Sequence, residues 1–145
     1  MQNIRPTTNP RVLALDYGRA HTGVALSDPT GIIARPLDEI GEAATPAGIR
    51  RIAALVISEA VGSVIVGMPV SLSGERGAQA AETETFIEAL RQAVGVPVYP
   101  WDERFTSKIA GRRRTGSGVS NHSLAASYLL EDYLGSAAYR GRVGG

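Results

Sequence analysis

The fold is decided by the stretch RVLALDYGRAHTGVALSD, which runs from Arg11 to Asp28. An apolar run ends at Asp16, glycines follow at Gly18 and Gly23, and a second apolar run then leads to Asp28. Two apolar runs joined by a glycine turn are typical of a β-hairpin. We therefore expect Asp16 to stand at the end of a buried strand, next to a turn that leaves open space beside its carboxylate.

A carboxylate in that position has three interpretations. It can hold a divalent metal ion, because such ions prefer hard oxygen ligands. Alternatively, the backbone N–H groups of the glycine turn can receive a phosphate next to it. The third interpretation is structural, since an aspartate at this point can simply cap the turn. The hairpin alone leaves all three open.

The bulk composition predicts one soluble domain. The chain has 145 residues, of which 43% are hydrophobic and 20% are charged, and these values are ordinary for a globular protein of that size. The sequence has no apolar run long enough to cross a bilayer and no signal-peptide pattern, so we expect no membrane association. The lack of cysteine excludes disulfides and thiolate metal sites, and it fits the reducing cytoplasm.

The hydrophobic periodicity predicts the element order β-β-β-α-β-α-β-α. After the hairpin, strands are expected at residues 31–35, 63–66 and 96–99, and helices at residues 45–60, 79–94 and 120–134. A meander followed by right-handed crossovers gives an α/β fold with a mixed five-stranded sheet, three antiparallel strands plus two parallel ones, and helices on both faces. We expect one domain over residues 11–135, with a flexible lead at 1–10, an exposed loop at 70–77 and a flexible basic tail at 136–145.

Acidic side chains follow two strands whose carboxyl ends meet in such a sheet. Asp16 ends the first strand, and Asp102 and Glu103 come directly after the last one. Functional groups gather beyond the carboxyl ends of parallel strands. Two or three converging carboxylates in a chain without cysteine predict a site for Mg²⁺ or Mn²⁺. A metal ion held there can activate water and stabilise the oxygen atoms of a phosphodiester during its displacement.

A basic segment follows the second acidic position. It holds five cationic side chains: Arg104, Lys108, Arg112, Arg113 and Arg114. Cations beside a metal site suit a nucleic-acid backbone, whereas the alternative is a solvated helix end with no ligand. Arg19 and His21 lie in the hairpin turn, where they are either phosphate contacts or ordinary surface residues.

Five segments of the chain occur in the order and spacing of one known family. They are DYGRAHTGVALSD at 16–28, IVGMP at 65–69, GERG at 74–77, DERFTS at 102–107 and LAASYLLEDYL at 124–134. Together they resemble the YqgF/RuvX family of pre-16S rRNA processing nucleases and Holliday junction resolvase-like proteins. The resemblance runs from Arg11 to Leu134. It implies an RNase H-like fold and a metal-dependent endonuclease that acts on precursor rRNA or on branched DNA.

The same resemblance assigns roles to individual residues. Asp16 matches the first-strand aspartate of the family, and Glu103 matches the glutamate of its DER motif, which Asp102 and Arg104 complete. The family usually has a third aspartate at the start of the last helix, and this chain has His122 there. Histidine can bind a metal or act as a general base. Otherwise His122 is only a residue of the first helical turn, and the site is one ligand short.

Two other functional classes and one question of assembly remain open. The chain could bind nucleic acid without cutting it, as a factor in ribosome maturation or transcription, and the histidine at position 122 favours that alternative. A glycine hairpin also occurs in actin-like ATPases, but 145 residues leave no room for the second domain that encloses the nucleotide. A homodimer is a further expectation for branched DNA, because two symmetric nicks require a two-fold axis.

Overall fold

The structure of the chain is a computed structural model that describes residues 10–69, 74–103 and 120–144. Within these ranges the strands are β1 (Arg11–Asp16), β2 (His21–Ser27), β3 (Ala34–Gly41), β4 (Val61–Met68) and β5 (Val98–Asp102). The helices are α1 (Pro46–Ser58), α2 (Gly74–Ala93), α3 (Asn121–Leu134) and α4 (Ala137–Gly144). In this part of the chain, none of the helices is long and apolar enough to cross a membrane.

The described strands form one mixed sheet of five strands in the order β3-β2-β1-β4-β5. β1 and β2 pair antiparallel, as do β2 and β3, whereas β4 runs parallel to both β1 and β5. This topology confirms the predicted meander with two added parallel strands. The carboxyl ends of β1, β4 and β5 consequently lie at one edge of the sheet, and this edge carries the candidate site.

Strand β1 lies at the centre of the fold and is buried on both faces. Its side chains alternate, as in any strand: Leu13 and Leu15 pack in the cluster under α1 and α2, and Val12 and Ala14 pack in the cluster under α3 and α4. All four are at most 1% exposed. The alternation sends Asp16, the next residue of the second set, to the face covered by α3.

Hydroxyl side chains cap the starts of α1 and α3. The Thr45 hydroxyl accepts a hydrogen bond from the N–H of Gly48 at 3.1 Å, and Pro46 opens α1. The Ser120 hydroxyl accepts from the N–H of Ser123 at 3.0 Å at the start of α3. Such caps satisfy N–H groups that have no partner within the helix. The cap on α3 fixes the backbone direction of the turn that carries His122.

The structure corrects the predicted bounds of β3 and α2. Residues 31–33, predicted as strand, form a turn in which the Asp28 carboxylate accepts from the N–H groups of Ile32 and Ile33 at 3.0 and 2.9 Å. β3 therefore begins at Ala34. Helix α2 begins at Gly74, so the last four residues of the predicted loop are helical. Glycine costs less at a helix start than in its interior, and the alanine-rich sequence that follows favours helix.

The C-terminal half also departs from the prediction. β5 spans Val98–Asp102, and it accommodates Pro100 because it is an edge strand. In place of the predicted flexible tail the chain forms α4, whose Tyr139 is 5% exposed. The Ser136 hydroxyl accepts from the N–H of Tyr139 at 3.1 Å and so caps this helix. Residues 1–9 of the predicted lead and residues 70–73 of the predicted loop lie outside the described residues.

Candidate functional site

Asp16 occupies the carboxyl end of β1 on the α3 face of the sheet. It is the register partner of Gly23 in β2, and Leu15 before it is the partner of Val66 in β4. Its neighbours along the sheet edge are thus β2 on one side and the end of β4 on the other. The side chain is partly buried, in agreement with the predicted position at the end of a buried strand.

Glu103 reaches the same face from β5, across the end of β4. Its Cγ lies 3.5 Å from the point where a Cβ would stand at Gly67. On that side the same point is contacted by the Leu129 side chain of α3, which identifies it as the α3 face. Because residue 67 has no side chain, the Glu103 carboxylate can extend over β4 toward Asp16.

The electrostatics of Asp16 report which charged groups surround it. Burial and, as the smaller effect, the negative charge of Glu103 raise the pKa of its carboxyl from 3.8 to about 6, although His122 acts in the opposite direction. These side chains come from β1, from the end of β5 and from the start of α3. A carboxyl with a pKa shifted by both burial and a specific partner is typical of functional sites.

Asp102 lies on the other face. It is the register partner of Met68, which packs in the cluster under α1 and α2, and paired residues of parallel strands share a face. Trp101, one residue earlier, packs in the opposite cluster with α3. The structure therefore brings Asp16, Glu103 and His122 together and places Asp102 across the sheet from them.

His122 is held in place by close contact between α3 and β2. The Ser123 hydroxyl accepts from the N–H of Val24 at 3.1 Å. A Cβ at Gly23 would stand only 1.8 Å from the carbonyl oxygen of His122, so the first turn of α3 rests directly on the backbone of β2. Because Gly23 is also the register partner of Asp16, this contact sets His122 beside the carboxylate.

Two further residues join the site from β2 and β3. The rings of His21 and His122 are stacked, with their centroids 5.4 Å apart and their planes at 20°. Nδ1 of His21 lies 2.8 Å from Oε1 of Glu39. The sequence alone could not identify Glu39 as a site residue, because a single carboxylate on an edge strand resembles any solvent-facing residue.

The predicted phosphate contacts have different outcomes. Arg19 forms an ion pair with Glu82 of α2, to which its Nε also donates at 3.3 Å. The pair borders an open groove of about 460 Å³ that is also lined by Tyr17 and Gln79. The charge of Arg19 is therefore already paired in this structure. The basic positions Arg104, Lys108, Arg112, Arg113 and Arg114 all lie outside the described residues.

The side chains of the site can be compared with the ligands that a hard divalent ion such as Mg²⁺ prefers. Across residues 10–69, 74–103 and 120–144, the structure contains no group of three or more Asp, Glu or His side chains that could hold a metal ion by themselves. Mg²⁺ is usually bound by only one or two carboxylates, and water and substrate phosphate complete its coordination. Asp16 and Glu103 fit that style of binding, and the mutual repulsion of their charges is what a divalent cation would offset.

Comparisons with known proteins identify the family of this chain and support its fold. A family model described as "RuvX: Holliday junction resolvase" matches residues 10–136. A relative from Rubrobacter xylanophilus is 43% identical over 131 residues, covering 86% of this chain and 91% of the relative. Another, from Roseiflexus sp., is 35% identical over 133 residues, covering 87% and 94%. Both are described as "Putative pre-16S rRNA nuclease".

A solved structure shows the same architecture. It is the T. thermophilus RuvC in complex with Holliday junction substrate, with a TM-score of 0.58 and 18% sequence identity, covering 93% of this chain and 96% of that one. A likeness at that level of identity is one of fold. It confirms the predicted RNase H-like arrangement of sheet and helices.

Proposed function

This chain belongs to the RuvX family, described as Holliday junction resolvases, and from that premise we propose that it is a metal-dependent nuclease for structured nucleic acid. The reaction is the hydrolysis of a phosphodiester bond. The observation that carries the proposal is the convergence of Asp16 and Glu103 at one edge of the sheet, where burial and then the charge of Glu103 raise the pKa of Asp16. Two carboxylates of like charge in a partly buried site repel each other, and a bound cation would offset that repulsion.

Asp16 and Glu103 are the residues that would hold Mg²⁺ or Mn²⁺. The ion, when bound, supplies a water of lowered pKa and offsets charge on the phosphodiester oxygens. The chain itself fixes the two carboxylates, one on a central strand and one extended over Gly67. Sites built on such rigid elements keep their geometry better than sites built on loops. We leave Asp102 out of this ligand set, because its register places it on the other face.

His122 supplies the proton chemistry in this proposal. It lies beside Asp16 at the capped start of α3, and a neutral imidazole nitrogen can accept a proton from the attacking water. The basic segment that follows Glu103, from Arg104 to Arg114, supplies phosphate contacts. Arg19 joins them only by exchanging its pairing with Glu82 for a phosphate. These assignments rest on the side chains present and on chain order.

The substrate belongs to one of two classes. The curated relatives carry a description that points to precursor 16S rRNA, and the family description points to four-way DNA junctions. For a junction, a homodimer would place two sites about a two-fold axis and give symmetric nicks. Both substrates are found in the bacterial cytoplasm, which is where we place the activity.

A side-by-side cleavage assay tests the proposed function. A four-way DNA junction, a precursor-rRNA fragment and a linear duplex are incubated with the wild type in Mg²⁺, Mn²⁺ or EDTA. We expect one of the two structured substrates to be cut with metal and neither to be cut in EDTA. Salt-sensitive binding of either substrate without cleavage would instead support the non-catalytic alternative, which the histidine at position 122 favours. ATP hydrolysis under the same conditions would point to the actin-like class.

Gly67→Ala is expected to raise the metal concentration that cleavage requires while it destabilises the fold only slightly. The added Cβ would stand 3.2 Å from Cδ2 of Leu129, which must shift by a few tenths of an ångström, and 3.5 Å from Cγ of Glu103. The second distance is an ordinary contact, so the new methyl group fills the space above β4 and limits the orientations open to the Glu103 side chain. We expect the Mn²⁺ concentration for half-maximal cleavage to rise about 10-fold, with a loss of about 1 kcal/mol in unfolding free energy. The measurement is a Mn²⁺ titration of the cleavage rate.

The matched control is Gly95→Ala, since a Cβ there meets nothing within 4 Å. It should leave both the metal requirement and the stability unchanged. An unaltered metal requirement in Gly67→Ala would show that Glu103 does not need the space above β4 to reach the ion.

A further inference from the structure

The chain contains two histidines, His21 and His122, and the fold stacks them on each other. They come from β2 and from the start of α3, and their ring centroids are 5.4 Å apart with the planes at 20°. Glu39 of β3 holds the outer ring, since its Oε1 lies 2.8 Å from Nδ1 of His21. Two consecutive contacts thus lead from an edge strand to His122, which interacts electrostatically with the carboxylate of Asp16.

We propose that His21 and Glu39 are positioning residues for His122 in the nuclease proposed above, on whose reaction this inference rests. The backbone of His122 is fixed by the Ser120 cap and by the contact of α3 with Gly23. Its ring still has two rotatable bonds, and the described residue that stacks on it is His21. Stacking on a second aromatic ring favours one orientation of the His122 ring several-fold.

The hydrogen bond to Glu39 fixes the orientation of the His21 ring in the stacked histidine pair. With Nδ1–H donating to the carboxylate, the plane of the His21 ring is set, in the way that carboxylates orient the imidazoles of metal sites. An exposed His–Glu pair by itself adds little to stability, and the His21 side chain is 55% exposed. What the pair does instead is support the ring that lies beside Asp16. Neither residue touches the reacting atoms in this arrangement.

A double-mutant cycle tests whether His21 acts through His122. Cleavage of the preferred structured substrate is measured for His21→Ala, His122→Ala and the double variant. We expect His21→Ala to lower kcat about 10-fold with KM unchanged and to have no further effect in the His122→Ala background. An equal loss in both backgrounds would overturn the proposal, as would a change confined to KM, which would mark His21 as a substrate contact.

Conservative variants separate the stacked ring from its hydrogen bond. His21→Phe retains a flat ring, so it should restore most of the kcat lost in His21→Ala, whereas His21→Asn retains a donor without a ring and should not. Glu39→Ala should lower kcat by a smaller factor than His21→Ala. The control is Glu88→Gln, an exposed carboxylate of α2 paired with Arg91, which should leave kcat unchanged. A His21→Phe variant as slow as His21→Ala would overturn the stacking argument.

A second readout works without any cleavage. Because the chain has two histidines, an NMR spectrum of the imidazole groups shows two spin systems. We expect the ring protons of His122 to be shifted upfield by the stacked ring and to move downfield in His21→Ala, with the same change at smaller amplitude in Glu39→Ala. If the wild type cuts no substrate, this spectrum still tests the stack. Ring signals of His122 that do not change in His21→Ala would overturn the inference separately from the proposed function.

Discussion

Asp16→Asn is expected to stabilise the metal-free protein at neutral pH while it abolishes cleavage. Burial and the nearby charge of Glu103 raise the pKa of Asp16 from 3.8 to about 6. A shift of that size corresponds to about 3 kcal/mol of unfavourable free energy for the charged form in the folded state. Asparagine has a similar shape without the charge, so it removes this penalty. It also removes a proposed metal ligand, for which we expect at least about a 1,000-fold loss of rate.

The contribution of Asp16 to the pH dependence of the unfolding free energy has a definite sign. Above about pH 6 the carboxyl is charged in both the folded and the unfolded state, so the full penalty is present. Between the folded value of about 6 and the unfolded value of 3.8, the folded protein binds a proton that the unfolded chain does not, and stability rises as the pH falls. Below the lower value both states are protonated, so the stability difference between Asp16→Asn and the wild type should disappear.

Urea unfolding in EDTA at about pH 7.5 and about pH 3.5 measures this difference. The control is Asp38→Asn, an exposed aspartate of β3, which should change the unfolding free energy by no more than about 0.5 kcal/mol at either pH. Equal stability of Asp16→Asn and the wild type at the higher pH would show that Asp16 carries no burial penalty, and the electrostatic case for a cation at this position would then fail.

In the described part of the site, Gly23→Ala is expected to cause the largest loss of stability and activity that a single added methyl group can produce. The new Cβ would stand 1.8 Å from the carbonyl oxygen of His122 and 2.8 Å from the N–H nitrogen of Ser123. Both are backbone atoms of a capped helix, so no side-chain rotation relieves the overlap. α3 must move away from β2, which would break the hydrogen bond from Val24 to Ser123 and withdraw His122 from Asp16.

We expect Gly23→Ala to lower the unfolding free energy by at least about 3 kcal/mol, at the upper end for overpacked positions, and to lose cleavage activity. Chemical denaturation and the cleavage assay measure the two effects. Gly95→Ala adds the same methyl group where nothing lies within 4 Å, and it should match the wild type within about 0.5 kcal/mol. Wild-type stability of Gly23→Ala would mean that α3 does not rest on β2 as described.

The sequence was sufficient to predict the sheet and the two acidic positions. Apolar runs and glycine turns indicate strands, and the rule that parallel strands end at a common edge then brings Asp16 and Glu103 together. That rule does not explain how Glu103 reaches across a strand spacing of about 4.8 Å. The structure answers it through Gly67, whose missing side chain leaves the path open. Periodicity could not show this, because it describes one strand at a time.

Other features could not be predicted from the sequence for the same reason. The contact of Glu39 with His21 and the stacking of His21 on His122 depend on strand register and on where α3 rests, which only the folded chain sets. Helix α4 was missed because its sequence is short, glycine-bearing and basic. Its stability comes from tertiary contacts, namely the buried Tyr139 and the Arg142 guanidinium, which lies 3.5 Å from the ring centroid of Tyr99.

The most direct test of the metal site is single-turnover cleavage by the wild type, Asp16→Asn and Glu103→Gln across a range of Mn²⁺ concentrations. The substrates are a four-way DNA junction and a precursor-rRNA fragment, and binding of each is measured in parallel. We expect the wild type to cut one of them only with metal, and each variant to bind it normally but to cut it at least about 1,000-fold more slowly. Cleavage that persists in EDTA, or a wild-type rate in either variant, would contradict a metal site built on Asp16 and Glu103.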